Sequence, residues 1–407
     1  MRSDQQNPLP LRPLLALAAG AFVTIVTEAM PAGLLREMSQ GLSVSESWIG
    51  QTVTIYAIGS LLAAMPLTAA TQQMRRRPLL LAALAGFVLS NTVTALSPSF
   101  TLTMAARFLA GVSAGLLWAL LAGYAARMVP DHHKGRAIAV AMVGTPLALS
   151  LGVPAGTFLG QLIGWQMCFG VMSLLALAIM VWVRIDLPDF AGQSAGHRQT
   201  LTQTLAQTLI LPGVRPVLLV VLGYVLAHNI LYTYIAPLLA TAGLAARTDL
   251  ILLEFGFTSL IGIWVVGALI DRHLRALTLA SILLFSLAAL MIGLGREAPG
   301  MIITAVAIWG LAFGGAATLL QTALARAAGN AADVAQSMLV TAWNAAIAGG
   351  GIVGGLLLDR LGVNAFAPAL LLLLGSALCT VWLTKAYGGA SPEDRLHVGA
   401  DLTGQSR

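Results

Sequence analysis

The sequence predicts an all-α membrane protein, with twelve transmembrane helices in two pseudo-symmetric bundles of six. Three observations carry that prediction. Of the 407 residues, 58% are hydrophobic and only 9% charged, where a soluble domain carries about 25% charged residues; the mean hydropathy is +0.86. The apolar residues gather in recurring blocks long enough to cross a ~30 Å hydrocarbon core at about 1.5 Å per residue. The basic residues fall in the short connections, most of them on one side, which is the positive-inside pattern. A β-barrel would show short alternating segments instead.

In order, the spans are 13–35, 48–70, 79–97, 101–128, 137–162 and 165–184, then 215–239, 249–270, 277–295, 300–326, 335–357 and 366–386. Arg75, Arg76, Arg77, Lys134, Arg136, Arg184, Arg215, Arg272, Arg275 and Arg326 fall on the side of the N-terminus, against Arg36, Arg247, Arg296 and Arg360 on the other. Both termini are therefore expected in the cytoplasm. The composition divides the chain into a bundle at 1–184, a polar linker at 185–214, a second bundle at 215–386 and a disordered tail at 387–407. Leu201, Leu205 and Leu209 recur every four residues in the linker, which predicts an amphipathic helix on the membrane surface. The net charge of +6 follows from these loops and does not call for nucleic acid. Cys168 and Cys379 lie in separate apolar spans and read as small core residues rather than a disulfide or metal pair.

The first span holds one acid, Glu28. A carboxylate at bilayer depth costs about 2.5–3.5 kcal/mol and is rarely there without a use; it takes up a proton or finds a cation. The halves echo each other: Pro31 follows Glu28 by three residues as Pro237 follows Tyr234, and Gly152 and Gly156 match Gly351 and Gly355. Weak duplication of this kind marks a transporter built from repeats. In the fifth span Gly152, Gly156, Gly160 and Gly164 form a stripe without side chains, and Pro154 loosens the backbone within it. Such a stripe allows close helix approach. It is expected to control how one bundle rocks against the other.

These residues bring a family into view. GTPLALSLGVPAGTFLGQLIGW (144–165) resembles the antiporter signature of the major facilitator superfamily, and RFLAGVSAG (107–115) is similar to its fourth-span motif with an intramembrane arginine, Arg107. GALIDRHLR (267–275) resembles its inner-loop motif, with Asp271 and Arg272 in the expected places. The first-half copy, PLTAATQQMRRRPL, has Gln72 where an acid is expected. TEAMPAGLL (27–35), TYIAPLL (233–239) and GWQMCF (164–169) resemble the twelve-span drug and sugar efflux branch. The resemblance implies the major facilitator fold, alternating access and a proton gradient as the energy source, with no cofactor. It also implies that the first and fourth spans lie side by side.

Glu28 and Arg107 both sit about 10 Å in from the outer ends of their spans, so an ion pair is geometrically open to them. Glu28, Arg107 and His228 are the candidates for proton coupling. For the solute, HNILYTY offers His228, Asn229, Tyr232 and Tyr234, an amide and aromatics fit for a polar, partly planar molecule. Trp118, Gln321, Trp343 and Asn344 are further candidates for that lining. Glu254, near Asp249 at a span end, reads as an interfacial carboxylate.

Three strings are decoys. GVSAG (111–115) lacks the strand that exposes a nucleophilic serine, GGGIVG (349–354) lacks the strand of a dinucleotide site, and His132 and His133 have no further ligands at metal spacing. The expected protein is an inner-membrane, multi-pass carrier, a monomer, exporting a small organic solute (a sugar or a drug-like molecule) in exchange for protons. The alternatives are a proton-coupled uptake symporter and, remotely, an intramembrane enzyme using Ser113.

Overall fold

The computed structural model describes residues 9–71, 73–130, 133–192, 207–295 and 297–384. Among them there are helices and connections and no strand. The first half contains α1 (Leu11–Gly33), α2 (Leu35–Leu42), α3 (Glu46–Thr71), α4 (Arg76–Leu96), α5 (Phe100–Arg127), α6 (Lys134–Met142), α7 (Gly144–Leu147), α8 (Val153–Ile163) and α9 (Trp165–Asp186). The second contains α10 (Val214–Thr233), α11 (Ile235–Thr241), α12 (Thr248–Gly295), α13 (Pro299–Gly314), α14 (Ala316–Ala328), α15 (Ala332–Leu361) and α16 (Phe366–Leu383). Among the described residues, ten helical stretches are long and apolar enough to cross a bilayer; the one at Ala245–Gly295 is 51 residues long and counts twice. The 26 residues of α3 supply the remaining span. The fold is that of twelve spans in two halves.

Several spans differ from the sequence expectation, each for a local reason. The eighth and ninth are one 48-residue helix, α12, bent at His273 (φ −128°, ψ 28°). No glycine or proline stands there to end it. Asp271 and Arg272, expected in a loop, are therefore exposed helix residues just before the bend. The fifth span is interrupted: a π turn at Ala148–Gly152 separates α7 from α8. Pro146 and Pro154 flank it, and each removes a backbone donor from the helical ladder. The tenth span breaks at Gly315, between α13 and α14. Leu201, Leu205, Gln72, His132 and the tail fall outside the described residues; residues 207–210 are helical.

The glycine stripe packs within its own half. A Cβ at Gly152 would meet Phe22 and Val26, one at Gly156 Met30, and one at Gly160 Leu34. These are successive turns of α1, so the stripe seats the fifth span on the first rather than on the opposite half. Gly164 is not part of that contact; it ends α8 with φ 87°. The face that meets the other half is a different one, where Ser150 presses on Gly256 of α12.

The halves are joined at the end where α1 finishes. Gln51 Nε2 donates to the Gly351 carbonyl (3.0 Å), and the Tyr234 hydroxyl bonds the carbonyls of Gly351 (2.8 Å) and Ser47 (3.2 Å). Gly50 lies against the Tyr234 ring, and Gly33 against Thr157 and Leu252. At the opposite end each half is clasped internally. Arg75 Nε pairs with Asp189 (2.6 Å), Arg77 N–H donates to the same carboxylate (3.1 Å), and Tyr124 donates to the Pro188 carbonyl (2.5 Å). In the second half Arg326 reaches the Asp271 carbonyl (3.3 Å) and Arg275 the Trp382 carbonyl (2.8 Å).

Candidate functional site

The first half builds its site around a buried cation. Pro31 has no N–H, so the carbonyl of Thr27, four residues earlier, loses its helical partner. Arg107 on α5 fills the vacancy: Nη1 donates to Thr27 O (2.5 Å), Nη2 to Glu28 O (3.0 Å) and Nε to Thr52 O on α3 (3.3 Å). Its guanidinium also lies 4.9 Å over the Tyr56 ring, a cation–π contact that suits a desolvated arginine. Arg107 is 1% exposed. Tyr56 in turn donates to Thr24 O (3.1 Å), and Asn91 of α4 holds the Thr27 hydroxyl (3.1 Å). Four spans are thus fixed around the peptide that carries Glu28.

The expected side-chain ion pair is not the contact made. Arg107 grips the backbone at Glu28, and the carboxylate itself is half-buried and interacts with Arg107 by charge alone. Three carbonyls in a fixed fork geometry match the planar guanidinium, which is why the backbone takes it.

The second half builds an aromatic cage at the corresponding place. His228 stacks on Phe313 (centroids 3.4 Å, planes 5° apart) and lies 5.3 Å from Tyr232 and 5.2 Å from Trp309. Phe255 closes on Trp309 at 4.4 Å, and Trp343 stands 6.4 Å from Phe313. Sequence reasoning placed His228, Tyr232 and Trp343 here and missed Phe255, Trp309 and Phe313. The internal repeat gives no signal for them: Gly59 against Phe108 and Gly111 against Tyr56 recur as Gly262 against Leu311 and Gly314 against Ser259, so RFLAGVSAG (107–115) aligns with GLAFGGAAT (310–318) and YAIGS (56–60) with SLIGI (259–263). The buried cation has no counterpart in the second half: Gly310 stands at the position of Arg107 and Ser259 at that of Tyr56. Among the described residues, four buried side-chain polar atoms lack a partner, Thr52 Oγ1, His228 Nδ1, Tyr232 OH and Trp309 Nε1. Each such omission costs about 1–3 kcal/mol.

The remaining candidates scatter. Tyr234 is fully buried, and its hydroxyl bonds Gln51, Ser47 and Gly351 where the halves meet. Asn229 returns its amide to Val225 O (2.8 Å) and packs on Gly350; Asn344 likewise bonds Val340 O (3.0 Å). Trp118 is half-buried and Gln321 exposed. Ser113 donates to Leu109 O of its own helix (2.9 Å) and packs on Gly86, so no base orients it. Glu254 is half-buried, two turns into α12.

Two linked halves, polar groups gathered between membrane spans and breaks in the helices beside them define a secondary transporter. The Major Facilitator Superfamily model matches residues 17–350, and the chain belongs to that family, whose members are transporters and not enzymes. It is 33% identical over 378 residues to the inner membrane transport protein YdhP of Escherichia coli (strain K12), covering 91% of this chain and 95% of that one. It is 29% identical over 368 residues to a chloramphenicol efflux pump of Mycobacterium tuberculosis, 85% and 86% covered. Among solved structures it resembles a D-xylose–proton symporter (TM-score 0.77, 15% identity, 93% and 98% covered) and the human organic anion transporter MFSD10 (0.68, 18%, 93% and 100%). These last two likenesses concern the fold.

Proposed function

We propose that this carrier exports a small organic solute in exchange for protons. The observation that carries the reading is Glu28: an acid deep in the first span whose cationic neighbour is already held by three carbonyls. The carboxylate is left to gain and lose a proton without dismantling the arginine's anchorage. Arg107 tunes that site and ties the first span to the second and fourth. His228 belongs to the solute side of the cycle, because its ring neighbours are Tyr232, Phe255, Trp309 and Phe313 and none supplies a counter-charge to an imidazolium.

The arginine-rich ends are the cytoplasmic ends, as the positive-inside rule requires, so the joined end is the outer gate and the state described faces inward. Gly152, Pro154, Gly156 and Gly160 keep the fifth span seated on the first while Ser150 slides against Gly256. Asp271 and Arg272 belong to the inner clasp of the second half. The antiporter-like fifth span and the efflux pump among the relatives support export, and the proton gradient is the energy source of a monomeric carrier. The test is proton flux in proteoliposomes. Solute added on the inward-facing side should release or draw protons in the wild type and not in Glu28→Gln; proton-driven transport at the wild-type rate in that variant sinks the scheme.

A further inference from the structure

Several buried threonines of the first half give their hydroxyl to their own helix. Thr24 donates to Gly20 O (2.8 Å), Thr94 to Ser90 O (2.8 Å) and Thr157 to Val153 O (2.9 Å), each from four residues further on. Thr27 does not turn back on Val23 in this way. Its hydroxyl is held from α4, where Asn91 Nδ2 donates to it at 3.1 Å, and both side chains are buried.

The position of this exception gives it weight. Pro31 leaves the Thr27 carbonyl without a helical donor, and Arg107 Nη1 fills that gap. A hydroxyl that bonds the carbonyl four residues back bends its helix. At Thr27 the bend would fall on the turn just before the gap and draw the Thr27 carbonyl away from Arg107. A guanidinium that loses one of three fixed acceptors turns to another, and the Glu28 carboxylate, on the next residue, already interacts with it by charge. A close ion pair would keep Glu28 as the anion. No other side chain competes for that role. Tyr56 of α3 lies under the guanidinium, α10 brings His228 and Tyr232, and α8 carries no titratable residue. Glu254 of α12 shares a helix face with Thr258, which lies against Gly310 of α13. The remaining acids and bases of the helices packed on α1 stand at span ends.

We infer that Asn91 is a positioning residue for proton exchange at Glu28: by holding the Thr27 hydroxyl away from its own helix, it keeps Arg107 on the three carbonyls and the carboxylate clear of the guanidinium. The inference rests on the reading of Glu28 above and adds to it the side chain that keeps that site open.

The test is infrared spectroscopy of the full chain in proteoliposomes at a fixed, mildly acidic pH, with Glu28→Gln marking the carboxylic-acid band that belongs to Glu28. Asn91→Leu keeps the side-chain size, releases the Thr27 hydroxyl and should lose most of that band. Adding Thr27→Val leaves no hydroxyl to turn on Val23 O, and the band should return. If Asn91 served packing alone, the second substitution would not repair the first. A band undiminished in Asn91→Leu overturns the inference, and so does a loss that Thr27→Val fails to restore. Should Asn91→Leu not fold, Asn91→Ala releases the same hydroxyl and is read the same way, alone and with Thr27→Val. A spectrum that Glu28→Gln leaves unchanged sinks the proton-exchange reading and this inference together; a Glu28 band indifferent to Asn91 sinks this inference alone.

Discussion

Replacing Arg107 has a cost that depends on a proline 76 positions away in sequence, and the dependence can be worked out from the hydrogen bonds. Arg107→Met removes three donors at once. The carbonyls of Thr52 and Glu28 still have the helical N–H groups of residues 56 and 32, but Thr27 O does not, because Pro31 stands where its donor would be. An unsatisfied buried carbonyl costs about 1–3 kcal/mol. In a Pro31→Ala background that carbonyl regains a backbone donor, so this part of the penalty vanishes. Arg107→Met should therefore be about 1–3 kcal/mol more destabilising with proline at 31 than with alanine. The assay is denaturant unfolding of the detergent-purified protein, followed by intrinsic tryptophan fluorescence for the four members of the cycle. Additivity within ~0.5 kcal/mol would refute the reasoning. So would recovery of transport in the double variant, since Pro31→Ala restores the helix and not the charge.

Other expectations follow from the same contacts. Gly156→Ala places a methyl against Met30 and should cost about 1–3 kcal/mol by overpacking, whereas Gly170→Ala in α9, with nothing near its Cβ, should be neutral or slightly stabilising; thermal unfolding separates them. Tyr234→Phe deletes the hydroxyl that donates to Ser47 O and accepts from Gln51 Nε2 across the halves. At about 0.5–1.5 kcal/mol per bond, the joint between the halves should open roughly five- to 140-fold more often. Faster labelling of Ala348→Cys by a membrane-impermeant thiol reagent, with Cys168 and Cys379 replaced by serine, would show it; unchanged labelling would place the joint's strength elsewhere. Arg75→Ala should change stability by less than about 1 kcal/mol, because its side chain is 70% exposed. Asp189→Ala should cost more, since it also strips the Arg77 N–H of its acceptor; equal effects on unfolding would contradict the clasp.

The span pattern was legible because a bilayer imposes one length and one polarity on every helix. Glu28 and Arg107 were legible for the same reason: a charge in an apolar run is conspicuous. Their mode of contact was not, because the freed Thr27 carbonyl belongs to the backbone and shows only as a proline four residues on. Trp309, Phe255 and Phe313 were missed because an aromatic in an apolar span looks like packing, and aligning one half on the other does not single them out. Tyr234 sat in the same short motif as Tyr232, yet α10 ends at Thr233, and that break turns the two rings to different duties. The clasp of the first half was hidden by Gln72. The sequence lacks the local acid, but Asp189, more than a hundred residues away, stands in the place where Arg75 can reach it.

The π turn at Ala148–Gly152 gives the fifth span one residue more than its length needs. Should that surplus relax into ordinary α geometry, everything beyond it would swing by about 100° and shift by about 1.5 Å. Ser150, which touches the opposite half, lies inside the surplus itself. A helix wound this way can change its grip on a neighbour by passing slack along its own axis, with no loop to unfold and no joint to break.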